Sequence, residues 1–198
     1  MPFISTKARE DATTAGSTKD NYLNPSSVKS GQKVRFTLLA EEPFMFYELW
    51  GNDVNDPQKR KPFRFIEEPT NEDISVKLGD DFVRSLTRDG KGPEACKIAH
   101  AVPVYNYDME RVQVFSWTQK TVTQALDNIS QLEDYEDSMT ECDFYLSRDG
   151  EGTDTRYTVQ AAPKKKAMAK TVDESWDAAQ DEGFDLSRLI DGGDPFKE

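Results

Sequence analysis

A β-rich apolar run from Lys97 to Tyr107, a short turn at Asp108-Met109-Glu110 and a cleanly alternating stretch from Arg111 to Trp117 follow one another, and nothing else in the chain limits its fold as strongly. A period of two fits a half-buried strand and no helix. Lys97 to Val102 and Val104 to Tyr107 therefore read as one strand, and Arg111 to Trp117 as its hairpin partner. Parity sorts the side chains: Tyr105 and Tyr107 share one face, opposite Val102 and Val104, while Arg111, Gln113, Phe115 and Trp117 share a face opposite Val112 and Val114.

Shorter runs extend this pattern. Lys33 to Leu39, Phe44 to Trp50 and Lys61 to Ile66 read as strands, the last at a sheet edge because of Pro62. Thr118 is placed to cap a helix that buries Val122, Ala125, Leu126, Ile129 and Leu132. Cys142 to Ser147 and Thr155 to Val159 form a closing hairpin around Gly150 and Gly152. Residues 67–95 read as an acidic insertion with weak helical signals at Asp73–Leu78 and Asp81–Leu86. Strands, one helix, then two strands predict a mainly β fold, an OB-like barrel of five or six strands with one helix. Periodicity alone also allows another small α+β or barrel fold. The expected organisation is a flexible N-terminal arm over 1–30, a binding domain over 31–162, and a linker with an acidic tail over 163–198, in which Asp173 to Gln180 reads as a short helix.

The net charge of -12 is unevenly spread. Nine acidic residues lie between Thr171 and Glu198 against Arg188 and Lys197, and nine between Gln131 and Pro163 against Arg148 and Arg156. From Ser27 to Ser130 there are 14 basic and 16 acidic residues, so a local basic face can exist on an acidic molecule. Lys33/Arg35 and Lys59-Arg60-Lys61 with Arg64 are its local clusters. Cys96 and Cys142 make no disulfide framework, and Cys96-x-x-x-His100 supplies half of a zinc site at most, so no metal and no cofactor is expected. No apolar run has membrane-span length, and Met1 to Asp20 lacks a secretory core, which predicts a cytoplasmic protein with no membrane partner. No phosphate-cradling glycine loop or nucleophile elbow is present, so an enzyme is not expected.

Single-strand binders combine ring faces for bases with cations along the backbone. Here the two interleave: Tyr47, Trp50, Tyr105, Tyr107 and Trp117 are the expected stacking residues, and Lys59, Arg60, Arg64, Lys97, Arg111 and Lys120 the expected phosphate contacts. The competing explanation is that the rings are core. In the tail, Asp191, Asp194, Pro195 and Phe196 are the expected partner-binding residues, an apolar tip flanked by carboxylates, against the alternative of a plain solubilising tail.

Several short blocks, in order, resemble a family of bacteriophage single-stranded DNA-binding proteins: Lys97–His100, Val104-Tyr105-Asn106-Tyr107-Asp108, Arg111-Val112-Gln113-Val114, Thr118–Val122, Asp149–Val159 and the closing Gly192-Gly193-Asp194-Pro195-Phe196. The likeness spans roughly residues 33 to 196, less the insertion. It implies an OB-like fold, coating of single-stranded DNA in phage replication and recombination, replication and recombination proteins as partners of the tail, self-association on DNA, and residence in the host cytoplasm. Lys197 and Glu198 follow Phe196, unlike the tail tip of bacterial single-stranded DNA-binding proteins, which the segment otherwise resembles. An acidic adaptor or DNA mimic is the rival function, and RNA binding by the same surface is equally compatible with the residues.

Overall fold

The computed structural model describes residues 18–53, 56–133, 135 and 138–197. It is mainly β, with eight strands in one mixed sheet: β1 (Tyr22–Leu23), β2 (Gln32–Leu38), β3 (Phe44–Asp53), β4 (Asp56–Phe65), β5 (Lys97–Asn106), β6 (Arg111–Trp117), β7 (Cys142–Asp149) and β8 (Arg156–Pro163). Among the described residues three α-helices accompany them: α1 (Asn71–Leu78), α2 (Lys120–Ser130) and α3 (Ala169–Asp181). Neighbours run β1–β6–β5–β2–β7–β8, with β3 on β5 and β4 on β3. Among the described residues the pairings form an open order rather than a closed ring, where five or six barrel strands and one helix were expected. β5 is long enough to hold β3 along Lys97–Ala101 and β2 along Val104–Asn106 on one edge, and β6 on the other.

Alternation gives the sheet two buried faces. Phe36, Val102, Val104, Phe115, Phe144 and Leu146 fill the inner one, closed by Val122 and Ile129 of α2. A buried Phe or Leu contributes about 1.5–3 kcal/mol, so this layer dominates stability. α2 begins after Gln119 rather than Thr118, without a side-chain cap, and ends before Leu132, which is exposed.

Three segments expected to lie outside the core pack onto it. Leu23 and Val28 are buried, and β1 pairs with β6 in parallel, so the arm predicted to reach residue 30 is attached from Asp20 onward; residues 1–17 lie outside the described residues. In the insertion, a reciprocal Thr70–Asp73 cap starts α1, whose Ile74 packs with Leu49 and Phe65. The second expected helix, Asp81–Leu86, is absent: Val83 to Ser85 runs beside β3, where Ser85 N donates to the Trp50 carbonyl at 2.7 Å. Gly51 permits this approach, because a Cβ there would overlap the Phe82 ring. Finally, the acidic tail lies on the outer face. Val172 of α3 packs on Tyr105, Tyr107 and Val112, and Leu189 sits among Phe46, Ala99, Ala101 and Val114.

Candidate nucleic-acid interface

Cross-strand register decides which expected residues meet. His100 faces Trp117, Val102 faces Phe115, and Tyr105 faces Val112. Tyr105 and Tyr107 are thus on the opposite face of the hairpin from Arg111, Phe115 and Trp117, and the rings do not converge on one surface. Tyr105 is fully buried, and Tyr107 donates from its hydroxyl to Asp143 at 3.0 Å. Burial, then the Asp143 carboxylate, hold the Tyr107 phenol above its ordinary pKa. Both tyrosines lie beneath the C-terminal segment, an arrangement unsuited to direct base stacking in this conformation. Arg111 donates to Asn21 at 3.1 Å, and Gln113 to the Asp20 carbonyl at 2.6 Å, so the polar end of their face anchors the N-terminal segment.

Other expected residues do come together. A cleft of about 710 Å³ is lined by Tyr47, Lys97, His100, Thr118 and Lys120. It shares Thr118 with a cleft of about 480 Å³ lined by Trp50, Arg64 and the buried Trp117. That cleft shares Arg64 and Leu189 with a third, of about 450 Å³, lined by Lys59, Lys61 and Lys77. Seven of the eleven expected residues therefore line one row of clefts: Tyr47, Trp50, Lys59, Arg64, Lys97, Trp117 and Lys120. Lys59, Lys97 and Lys120 are exposed.

The electrostatics are mixed along this row. Glu48 accepts from Arg64 at 3.2 Å and from the Trp50 indole at 3.0 Å. Arg60 is turned to the insertion, donating to Glu94 and Ser85 at 2.6 Å each with its guanidinium 5.1 Å from the Trp50 ring. The tail crosses the far end of the row, where Arg64 donates to the Leu189 carbonyl at 3.1 Å and Lys77 to that of Ile190 at 3.2 Å, with Asp191 3.7 Å from the Lys77 ammonium. Of the expected tail residues, Asp191 is exposed, Pro195 is buried, and Phe196 stacks edge-on against Phe184 with centroids 4.9 Å apart. The Asp194 carboxylate caps the Phe196 amide at 3.1 Å.

His100 is held flat on Trp117, ring centroids 5.1 Å apart, and burial pushes its pKa below the ordinary value. Cys96 donates weakly to the Glu48 carbonyl and Cys142 to that of Met139 in the inner core, so the two thiols serve different layers. Among the described residues no three His, Cys, Asp or Glu side chains gather as a metal-ligand set, and no helix is long and apolar enough to cross a membrane.

Sequence reasoning missed Lys77, Thr118 and Glu48 as residues of this row. Lys77 lies in the insertion, and the other two gain significance only from strand register. Compared with known proteins, the chain matches no family model, no curated protein and no solved structure.

Proposed function

We propose that this protein binds single-stranded DNA without sequence preference, along the row of clefts that runs from Lys97 and Lys120 past Trp50 to Lys59. The observation that carries this is the convergence of aromatic side chains and exposed lysines in clefts that share lining residues, on a chain of net charge -12. Stacked bases contribute about 1–3 kcal/mol each, and the cations supply a salt-sensitive remainder. The strand order is compatible with an OB-like sheet, and the resemblance to phage single-stranded DNA-binding proteins favours a role in replication and recombination in a host cytoplasm.

The tail supplies regulation in this scheme. Asp191 and the carbonyls of Leu189 and Ile190 occupy Arg64 and Lys77, so DNA entering the third cleft competes with the tail. Displacement would also free Pro195 and Phe196 to reach a replication or recombination partner.

Tryptophan fluorescence titrated with oligo-dT tests the function, with duplex DNA and matched RNA oligomers in parallel. The expected result is quenching by oligo-dT, with log affinity falling against log salt at a slope near -3 for about four phosphate contacts. An absence of quenching at low salt, or binding that ignores salt, overturns it and favours the acidic adaptor. RNA binding as tight as DNA binding overturns the DNA assignment. Deleting residues 182–198 is expected to tighten DNA binding several-fold at low salt. Unchanged or weaker binding refutes competition by the tail.

A further inference from the structure

The face of β2, β7 and β8 turned away from the inner core carries a second aromatic and cationic array, distant in sequence from the β3–β4 hairpin. Register sets Arg35 beside Tyr145 and Gln160, Lys33 beside Ser147 and Thr158, and Asp149 beside Arg156. The Lys33 ammonium lies 4.6 Å from the Tyr145 ring centroid, and the Arg35 guanidinium lies 5.4 Å from Tyr145 and 5.6 Å from Tyr107. Lys165, just after β8, lies 4.9 Å from Tyr107.

The charges on this face are not equivalent. Arg35 is held by the fully buried Asp143 at 2.6 Å, and the same carboxylate accepts from the Lys165 backbone amide at 3.1 Å. That buried pair fixes the array rather than serving a ligand. Lys33, Arg156 and Lys165 are exposed, and among the described residues none of them has a carboxylate within ion-pair distance. Thr158, Gln160 and Ser147 add hydrogen-bonding groups, and no large apolar side chain on this face is exposed. The tail covers the outer face of β5 and β6, leaving this part of the sheet open. Spaced cations with polar side chains and one accessible ring suit a phosphodiester backbone better than a protein partner, which would require an apolar centre.

We infer that this face, through Lys33, Arg156 and Lys165 with Tyr145 beside them, is a second contact path for a single strand that has already filled the row of clefts. The inference rests on the single-strand function proposed above and extends its footprint beyond the tail to the strands β2, β7 and β8. The reverse-charge variant K33E/R156E/K165E, tested as the full chain, separates the two. Anisotropy of labelled oligo-dT of increasing length is the readout, with K97E/K120E as the cleft variant and R88E/K91E as a control for net charge.

The face variant is expected to bind the shortest saturating oligomers like the wild type and to lose about tenfold on the longest, with a salt slope shallower by about 2 for three lost phosphate contacts. Its thermal midpoint is expected to match the wild type, since all three side chains are exposed. Equal affinity of the face variant and the wild type at every length overturns the inference. So does an equal loss at every length, or the same loss in the net-charge control. If K97E/K120E binds every length as well as the wild type, the row of clefts is the wrong site. If the wild type binds no oligomer at low salt, both proposals fall.

Discussion

The two faces of the β5–β6 hairpin are built from the same kinds of residue and are buried by different means. The inner face meets Phe36, Phe144 and α2, elements threaded through the sheet by β2 and β7. The outer face meets α3 and Leu189, parts of a segment that follows β8 and, among the described residues, adds no strand to the sheet. Removing the inner cover means unfolding the domain, whereas removing the outer cover requires the tail alone to leave. A surface of rings can thus be stored under a detachable cover while the fold's cooperative core stays intact.

The most direct way to break this contrast is at Phe36, fully buried, with ring centroids 5.0 Å from Phe115 and 5.5 Å from Phe144. Phe36→Ala is expected to cost about 3–5 kcal/mol, from lost transfer energy and the cavity left behind. Urea unfolding followed by circular dichroism is expected to show one transition at a lower midpoint. A loss below about 1 kcal/mol would mean that the inner face is not the main stability unit.

Asp143, on the outer side of β7, joins the sheet to the start of the tail and comes next. Its carboxylate, without solvent exposure, holds Arg35, the Tyr107 hydroxyl and the Lys165 amide, tying β2 and β7 to the outer-face tyrosine and the start of the tail. Removing one partner of a buried pair leaves the others unsatisfied, so Asp143→Ala is expected to cost about 3 kcal/mol, moderated by the water that still reaches Arg35. The same urea midpoints measure it. The companion variant Arg35→Met, which leaves the carboxylate without its cation, is expected to lose a comparable amount. A neutral result for both removes Asp143 from its role as the joint.

Leu189 tests the detachable cover itself. Leu189→Ala is expected to cost about 2 kcal/mol, near the lower end for a buried leucine, because the tail can undock without global unfolding. Native-state hydrogen exchange gives the sharper reading. Amides of α3 and of residues 186–191 are expected to lose protection while those of β2, β5 and β7 keep it. Uniform loss across the sheet would make the two covers equivalent.

This contrast explains what was legible in the sequence. Alternation gave the β5–β6 hairpin and the parity within each strand, because parity is a local property of a strand, but which face of one strand meets which face of the other is set by register, and register puts Tyr105 and Tyr107 on the face opposite Phe115 and Trp117 instead of on one shared surface. It left open what lies above each face. The cover over Tyr105 and Tyr107 comes from Val172 and Trp176, over sixty residues later, in a segment whose apolar residues follow one period in α3 and another in the 3-10 turn Leu186–Asp191. Against so many carboxylates these read as isolated. Lys97 and Lys120, each at the polar start of an element, do line one cleft with Tyr47, as their interleaving with rings led one to expect of neighbours. The ion pair of Arg60 with Glu94 was not legible, because Glu94 lies across an insertion whose path periodicity does not reveal.

The smallest expected effect falls where the inner face opens toward the clefts. His100 pairs across the strands with Trp117, is half-buried, and its Nδ1 is buried without a hydrogen-bond partner among the described residues. Burial penalises the imidazolium, so the folded-state pKa lies below the ordinary 6.5. Stacking on the indole opposes this as a cation–π contact, but desolvation prevails. Below pH 6.5 the unfolded chain then binds more protons than the folded one, and stability rises with pH across that window. The stabilisation is complete above pH 6.5 and declines as pH falls toward the folded-state pKa. Urea midpoints between pH 7 and 5.5, above most carboxylate titration, are expected to fall for the wild type and to change less for His100→Asn. Parallel pH profiles would place the imidazole in water and leave the Trp117 side of the cleft unsealed.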